Sequence, residues 1–161
     1  KGIDHIIKLV ELMKKYKGVI FYIGGATELV LKKKIIKIKK EKKLDNLILN
    51  LDGIPNEQIR SLYSLFDFSL HLSNVEEGTS YSIMESMISK CVPITNYSSE
   101  MIKKKHGYVF KKINYNKIIH ILNDKNFEKK IKILKLNTSN HIKNNFNEKV
   151  IIKKYKKILF K

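Results

Sequence analysis

The feature that most constrains this chain is the alternation of short apolar runs with segments of helical periodicity. The apolar runs are four to six residues long and rich in β-branched and aromatic residues, which is typical of buried parallel strands. Strands are predicted at residues 19–23, 46–51, 68–72, 92–95 and 107–110. Strands joined through helices form right-handed crossovers, so the pattern predicts an α/β fold with a doubly wound, Rossmann-like parallel sheet.

Helices are predicted over residues 4–16, 27–43 and 80–89, and from residue 115 to the end with breaks near Asn123 and at 137–140. A further apolar-periodic segment follows Pro55. In the first helix one buried face is expected, formed by Ile6, Ile7, Leu9, Val10, Leu12 and Met13. The chain opens with a helix, whereas a doubly wound domain normally starts with a strand. We therefore expect residues 1–161 to form one domain that lacks its first strand.

Composition excludes several classes of protein. No apolar run approaches the roughly 20 residues that span a bilayer, and residues 1–17 do not resemble a signal peptide. The single Cys91 excludes an internal disulfide and a cysteine-rich zinc site. The five histidines show no metal-ligand spacing. A cytoplasmic protein without a bound metal is expected.

The formal net charge of +18 raises the question of nucleic-acid binding. However, Arg60 is the only arginine among 33 basic residues, and arginine carries most bidentate recognition of bases and phosphates. We therefore expect no nucleic-acid partner. The lysine-rich run 32–43 is interpreted as a solvated helix face, although a basic surface also favours peripheral contact with anionic lipid headgroups at the inner face of the cell membrane.

One segment combines residues that suit a single ligand. Glu77 lies just after the third predicted strand, and Glu85 follows eight positions later, about two turns into the next helix. Between them the backbone amides of Gly78, Thr79 and Ser80 lie at a helix N-terminus, where the unpaired N–H groups and the helix dipole suit a diphosphate. Carboxylates accept hydrogen bonds from hydroxyls. The combination predicts a nucleotide sugar as ligand.

Two glycine turns follow other strands at the edge where ligands bind in open α/β sheets. The pair Gly24-Gly25 ends the first strand and would let a ligand approach the backbone closely. The segment 52–55, which contains Gly53 and Ile54, ends the second strand. Each is a weak signal alone, because glycines are common in turns.

Five blocks in order resemble family 4 retaining glycosyltransferases, especially those that build capsular and other cell-surface polysaccharides. The blocks are Lys1-Gly2-Ile3-Asp4, residues 46–55 with Leu62-Tyr63 and Asp67, the segment from Glu77 to Met87, residues 89–94, and Phe146-Asn147 with the helix after it. The resemblance implies a GT-B fold, of which this chain is the C-terminal, donor-binding domain. Residues 140–161 would form the family's C-terminal crossover helix, and the acceptor-binding N-terminal domain would precede Lys1.

The resemblance also implies roles for individual residues. Glu85 would accept the ribose hydroxyls, Glu77 would hold hydroxyls of the donor sugar as the catalytic-site carboxylate, and Lys1 would neutralise the leaving diphosphate. The amides of residues 78–80 would face sugar and phosphate, and the main chain of residues 53 and 54 would bind the base. The donor would be a UDP- or GDP-linked sugar, the acceptor a glycan or lipid-linked molecule, and no metal or other cofactor would be needed.

The chain departs from the family pattern at two places. Thr79 and Ser80 stand where the family has an aromatic residue followed by Gly or Pro, and the loop at 96–100 is shorter than the family's Gly-Gly loop. Without the acceptor domain, the chain is expected to bind a donor but hardly to turn it over. The alternative function is a non-catalytic nucleotide-sugar-binding or scaffolding module.

Residues near the predicted site also have simpler interpretations. Met84 and Met87 are expected in the core, Cys91 as a small buried residue, and His71 as a hydrogen-bonded histidine rather than a ligand. Tyr81 is expected either beside the sugar site or in the core.

Overall fold

The computed structural model describes residues 2–73, 80–96, 102, 105–124 and 126–159. Helices and strands alternate along these residues, as the sequence predicts. Their order is α1 (Ile3–Leu12), β1 (Phe21–Gly24), α2 (Leu29–Glu41), β2 (Leu47–Asn50), α3 (Asn56–Ser64), β3 (Phe68–His71), α4 (Tyr81–Ile88), β4 (Val92–Thr95), β5 (Tyr108–Val109), α5 (Tyr115–Leu122), α6 (Phe127–Asn145) and α7 (Glu148–Leu159). None of the described helices is long and apolar enough to cross a bilayer.

All strand pairs in the described residues are parallel. They form two hydrogen-bonded groups, β1-β2 and β3-β4-β5. In the first group Gly24 lies opposite Asn50, and in the second His71 lies opposite Thr95. These residues end their strands, so we call this side of the molecule the carboxyl edge.

One hydrophobic core joins the two groups of strands. Its buried members come from α1, α2, α5 and the strands or the turns beside them, and they are Ile7, Leu9, Val10, Met13, Phe21, Ile35, Leu44, Leu47, Leu51, Leu72, Ile94 and Ile118. Each such side chain contributes about 1.5–3 kcal/mol when it is fully buried. A second cluster contains Met87 with Ile83, Ile102 and Ile142, and Met84 packs against it. Helices therefore cover both faces of the strands, and the core positions predicted for the two methionines are confirmed.

The first helix is shorter than predicted, and its apolar face is narrower. The helix ends at Leu12, whose side chain is 40% exposed, whereas Leu9, Val10 and Met13 are fully buried. Leu12 lies at the margin of the stripe that these residues form, so it does not reach the core. Its predicted burial is wrong.

The predicted break at residues 137–140 is also wrong, because α6 continues through it. Thr138 and Ser139 are buried there, and both hydroxyls donate to backbone carbonyls of other elements, those of His106 and Ile88. These tertiary contacts outweigh the poor helix propensity of the segment. The break falls instead before α7, where Asn147 Oδ1 accepts from the backbone N–H of Val150 at 3.0 Å, as an N-cap does.

Candidate functional site

The N-terminus of α1 packs against the end of β3 at the carboxyl edge. A β-carbon at Gly2 would overlap the carbonyl oxygen of Leu72, so only glycine allows this approach. The contact joins two segments that are 70 positions apart in the sequence. It places Gly2 beside β3, the strand that leads to the predicted carboxylate segment, residues 77–87.

The ends of β3 and β4 are joined by one side chain. Asn96 Nδ2 donates to the carbonyl oxygen of Ser73 at 2.6 Å, and Asn96 Oδ1 accepts from the Ser73 N–H at 2.8 Å. An amide satisfies both polar groups of one residue in this way, much as a neighbouring strand would. The segment after β4, which departs from the family pattern, therefore starts with a residue that fixes the exit from β3.

Glu85 occupies the second turn of α4, and its side chain is half-buried. Its carboxylate forms no hydrogen bond or ion pair with a described residue. The helix that carries it is fixed to β3 because Ser69 Oγ donates to Ser86 Oγ at 2.9 Å, a hydrogen bond that is buried. Glu85 is thus a positioned carboxylate with acceptor capacity to spare.

Tyr63 shows that α3 lies close to this carboxylate. Burial, and to a smaller extent the negative charge of Glu85, raises the pKa of Tyr63 to about 12. The phenol therefore stays neutral, and its hydroxyl keeps its proton beside the carboxylate. Tyr63 of the Leu62-Tyr63 block and Glu85 are therefore neighbours in the structure.

The first turn of α4 also has donors available. Ser80 is the N-cap residue, yet its side chain makes no capping hydrogen bond; it pairs with Ser82 Oγ at 2.7 Å instead. The first-turn amides are therefore not satisfied by that hydroxyl, which leaves them suited to an anion. Tyr81 is 81% exposed beside this turn, so its predicted alternative position in the core is wrong.

The glycine turns after β1 and β2 lie against each other. A β-carbon at Gly24 would meet Ile54 Cδ1 at 2.7 Å, and Gly53 lies close to the Ala26 side chain. Gly25 and Gly53 adopt positive φ angles of 132° and 104°, which favour glycine. The structure thus brings Gly24, Gly53 and Ile54 together beside the β1-β2 pair, whereas Glu85 lies beside β3.

Several predicted site residues fall outside the described part of the chain. They are Lys1, Glu77, Gly78 and Thr79. Their approach to Glu85 stays a prediction. Of the predicted site residues in this segment, Ser80 and Glu85 are described: Ser80 is the N-cap residue of α4, and Glu85 lies in its second turn.

His71 was not predicted as a site residue, but its position is unusual. It ends β3, and its Nε2 atom is buried without a hydrogen-bond partner in the described residues. The expectation of a hydrogen-bonded histidine is therefore not met at this nitrogen. Burial lowers the pKa of His71 to about 4, so the ring is neutral at physiological pH. In the sequence, the signal that could have identified His71 is its position as a polar residue at the end of the apolar strand that leads to the predicted site.

The remaining features of the described residues do not contribute to the carboxyl edge. In the described part of the chain, no group of three or more His, Cys, Asp or Glu side chains is placed to hold a metal ion. Cys91 is fully buried, as predicted.

A cavity of about 530 Å³ lies beside α5, near the chain that follows α1. It is lined by Tyr16, Asn116, Ile119, His120, Asn123 and Asp124. The lining carboxylate of Asp124 already pairs with Lys130 at 2.5 Å, and the cavity lies at the opposite end of α1 from Gly2.

Comparisons with known proteins agree with this architecture. The family described as glycosyl transferases group 1 matches residues 1–149. Among solved structures, the C-terminal domain of a glycosyl transferase group 1 family protein (LpcC) from Francisella tularensis is similar, with a TM-score of 0.75 and 24% identity. The match covers 92% of this chain and 80% of that one, and it shows the fold of a GT-B C-terminal domain. No curated protein sequence matches. Because the family match spans nearly the whole sequence, the chain belongs to the group 1 glycosyl transferases.

Proposed function

We propose that this chain is the donor-binding half of a retaining glycosyltransferase. The donor is a UDP- or GDP-linked sugar, and the acceptor is a polysaccharide or a lipid-linked glycan held by an N-terminal domain. The observation that carries the proposal is the half-buried carboxylate of Glu85, which has no hydrogen-bond or ion-pair partner among the described residues. It lies in the second turn of a helix that starts at the carboxyl edge.

Glu85 would bind the ribose of the donor. A carboxylate can only accept hydrogen bonds, and the two neighbouring hydroxyls of a ribose are donors that match its two oxygens. Partial burial strengthens such charge-assisted hydrogen bonds, because water competes less. Since α4 is fixed by the Ser69–Ser86 hydrogen bond, the carboxylate is oriented before the ligand arrives.

The diphosphate would lie between two helix N-termini. The uncapped first turn of α4 would supply backbone amides, and those of Gly78, Thr79 and Ser80, which precede it in the sequence, would face the same phosphates. The contact of Gly2 with Leu72 brings the start of α1 to the same edge, and Lys1, which precedes Gly2 in the sequence, would face the diphosphate there. Amides and an ammonium group that face the bridging oxygens would stabilise the charge that develops as the diphosphate leaves. This arrangement supplies the stabilisation without a metal ion.

The transferred sugar and the base of the donor would be bound on the two sides of the diphosphate. Glu77 would hold hydroxyls of the transferred sugar at the reacting centre. The main chain of Gly53 and Ile54 would bind the base, and Gly24 would let the ligand approach the backbone. The contact between the turns after β1 and β2 supports this assignment, because it makes them one wall of the edge.

Calorimetry with the 161-residue chain tests the proposal. Titrations with UDP-sugars, GDP-sugars, the free nucleoside diphosphates and inorganic phosphate are compared at the same salt concentration. We expect one nucleotide class to bind and its diphosphate to bind more tightly than phosphate alone. Lack of binding by both classes at millimolar concentration would contradict the proposal. Donor binding with no sugar transfer by the complete two-domain protein would favour the non-catalytic module instead.

A further inference from the structure

The outward face of α2 combines exposed apolar residues with lysines. Leu29, Lys33, Ile36 and Lys40 lie within about 60° of one another around the helix, and we call them the α2 stripe. Leu29 is 74% exposed and Ile36 48%, and the adjacent Val30 is 81% exposed. The opposite side of the helix packs in the core through Ile35. Most lysines of the run 32–43 are exposed, as expected for a solvated face, but the outward side of α2 also carries exposed apolar side chains.

The lysines of the α2 stripe keep their charge available. Lys33 and Lys40 form no ion pair with any described residue. By contrast, Lys32 pairs with Asp52, and Lys34 pairs with Asp4 at 3.3 Å. Beside the stripe, Lys37 pairs with Glu41 at 3.7 Å. The stripe thus offers two free ammonium groups, separated by apolar side chains, on a chain of net charge +18.

We propose that the α2 stripe docks on the surface of a bilayer that contains anionic lipids. Leu29, Val30 and Ile36 would enter the boundary between headgroups and acyl chains. Lys33 and Lys40 would lie along that boundary and extend their ammonium groups to the lipid phosphates. A nucleic acid would use the lysines but would gain nothing from the apolar side chains between them. The combination therefore favours a lipid surface over a polyanion.

A second lysine-rich helix provides the comparison. On α6, Ile133 and Leu136 are 56% and 54% exposed. Of the lysines near them, Lys135 pairs with Asp67 at 2.7 Å and Lys130 pairs with Asp124, whereas Lys132 forms no ion pair with a described residue. The start of α2 has the more exposed apolar residues, Leu29 with Val30 beside it, and it lies five positions after Gly24, at the carboxyl edge. If the proposed function holds, docking there would bring the donor site towards a lipid-linked acceptor.

Vesicle co-sedimentation with the 161-residue chain tests this inference without any donor. Vesicles of phosphatidylcholine alone are compared with vesicles that also contain phosphatidylglycerol. The double variant Leu29→Gln with Ile36→Gln is compared with Ile133→Gln with Leu136→Gln, which makes the same chemical change on α6. We expect the α2 variant to bind anionic vesicles at least roughly tenfold more weakly, because the loss of only two buried methylene groups has about this effect and each glutamine puts a polar amide in place of more than one apolar carbon. The α6 variant should bind like the unmodified chain.

A second pair of variants tests the charges. Lys33→Gln with Lys40→Gln should weaken binding to anionic vesicles, whereas Lys129→Gln with Lys132→Gln, on α6, should have a smaller effect. The inference would be overturned if the variants on the two helices lost the same affinity. It would also be overturned if the unmodified chain bound neutral vesicles as well as anionic ones, or did not bind anionic vesicles. So would an α2 apolar variant that keeps full affinity, since lysines alone would then account for the binding. Because the donor is absent, failure here leaves donor titrations unaffected and separates this inference from the proposed function.

Discussion

The side-chain amide of Asn96 pairs with both backbone polar groups of Ser73, at 2.6 and 2.8 Å. Ser73 is the last described residue before the segment that carries Glu77, and it is 4% exposed. Asn96 directly follows the neighbouring strand, β4. One side chain therefore fixes the point from which the predicted carboxylate segment departs.

Replacing Asn96 by alanine should destabilise the fold and weaken donor binding. Two hydrogen bonds are lost, so we expect the free energy of unfolding to fall by about 1–3 kcal/mol. Urea denaturation measures this change. Asn50→Ala is the matched control, because Asn50 also ends a strand at the carboxyl edge but its side chain is exposed. Equal effects of the two substitutions would contradict the role given to Asn96.

Gly2→Ala should displace the start of α1 from β3. The added methyl group would overlap the Leu72 carbonyl oxygen, and such overpacking costs about 1–3 kcal/mol. Donor affinity should fall as well, because α1 carries the proposed diphosphate contacts. Gly18→Asn serves as the control: nothing lies within 4 Å of that position, and asparagine tolerates its φ of 85°. A Gly2→Ala protein with unchanged stability and donor affinity would show that the contact is not needed.

His71 should make the fold less stable in acid. Its pKa is about 4 in the folded protein, against 6.5 for an unperturbed histidine, so below pH 6.5 the unfolded chain takes up a proton that the folded chain does not. The free energy of unfolding should therefore fall as the pH drops from 6.5 to 4, by up to about 3 kcal/mol from this residue. Above pH 6.5 the contribution is absent.

Urea denaturation of His71→Gln at several pH values isolates this contribution. The variant should lose less stability than the unmodified chain between pH 6.5 and 4, while other titrating groups act on both proteins alike. His120→Gln, at an exposed position, should retain the original pH dependence. Parallel curves for the His71 variant and the unmodified chain would refute the burial effect.

Cys91 should be unreactive in the folded protein. Burial raises the pKa of its thiol from 9.0 to about 12, and the thiolate is the reactive form. Iodoacetamide should therefore label the native chain at least about a thousandfold more slowly than the urea-unfolded chain, from the thiolate fraction alone. Mass spectrometry follows the labelling. Rapid modification of the native protein would mean that the start of β4 opens easily.

Much of the fold could be predicted because local pattern and tertiary structure agree. The strands at 68–72 and 92–95 were placed within one residue of β3 and β4, since continuous apolar runs between glycine or polar turns have few alternatives. The errors occurred where tertiary contacts decide. Thr138 and Ser139 predict a break, but their hydroxyls bind distant carbonyls, and α6 continues.

The site was predictable in its residue types but not in its supporting contacts. Glu85 could be selected from its spacing along the chain. The pairing of Asn96 with Ser73 and the approach of Gly2 to Leu72 join segments that are distant in sequence, and no local pattern encodes them. The burial of the His71 nitrogen likewise depends on the tertiary packing around β3. The exposed apolar residues of α2 were hidden for a similar reason, because exposure depends on which side of the helix meets the core.

The proposed donor site depends above all on Glu85, and calorimetric titration of Glu85→Gln measures how much this carboxylate contributes to donor affinity. The substitution keeps the shape of the side chain but removes its charge, so donor affinity should fall roughly 10- to 150-fold as charge-assisted hydrogen bonds are lost. The control is Glu57→Gln, an exposed glutamate in the first turn of α3, which should bind the donor like the unmodified chain. A folded Glu85→Gln protein with unchanged donor affinity would contradict the account.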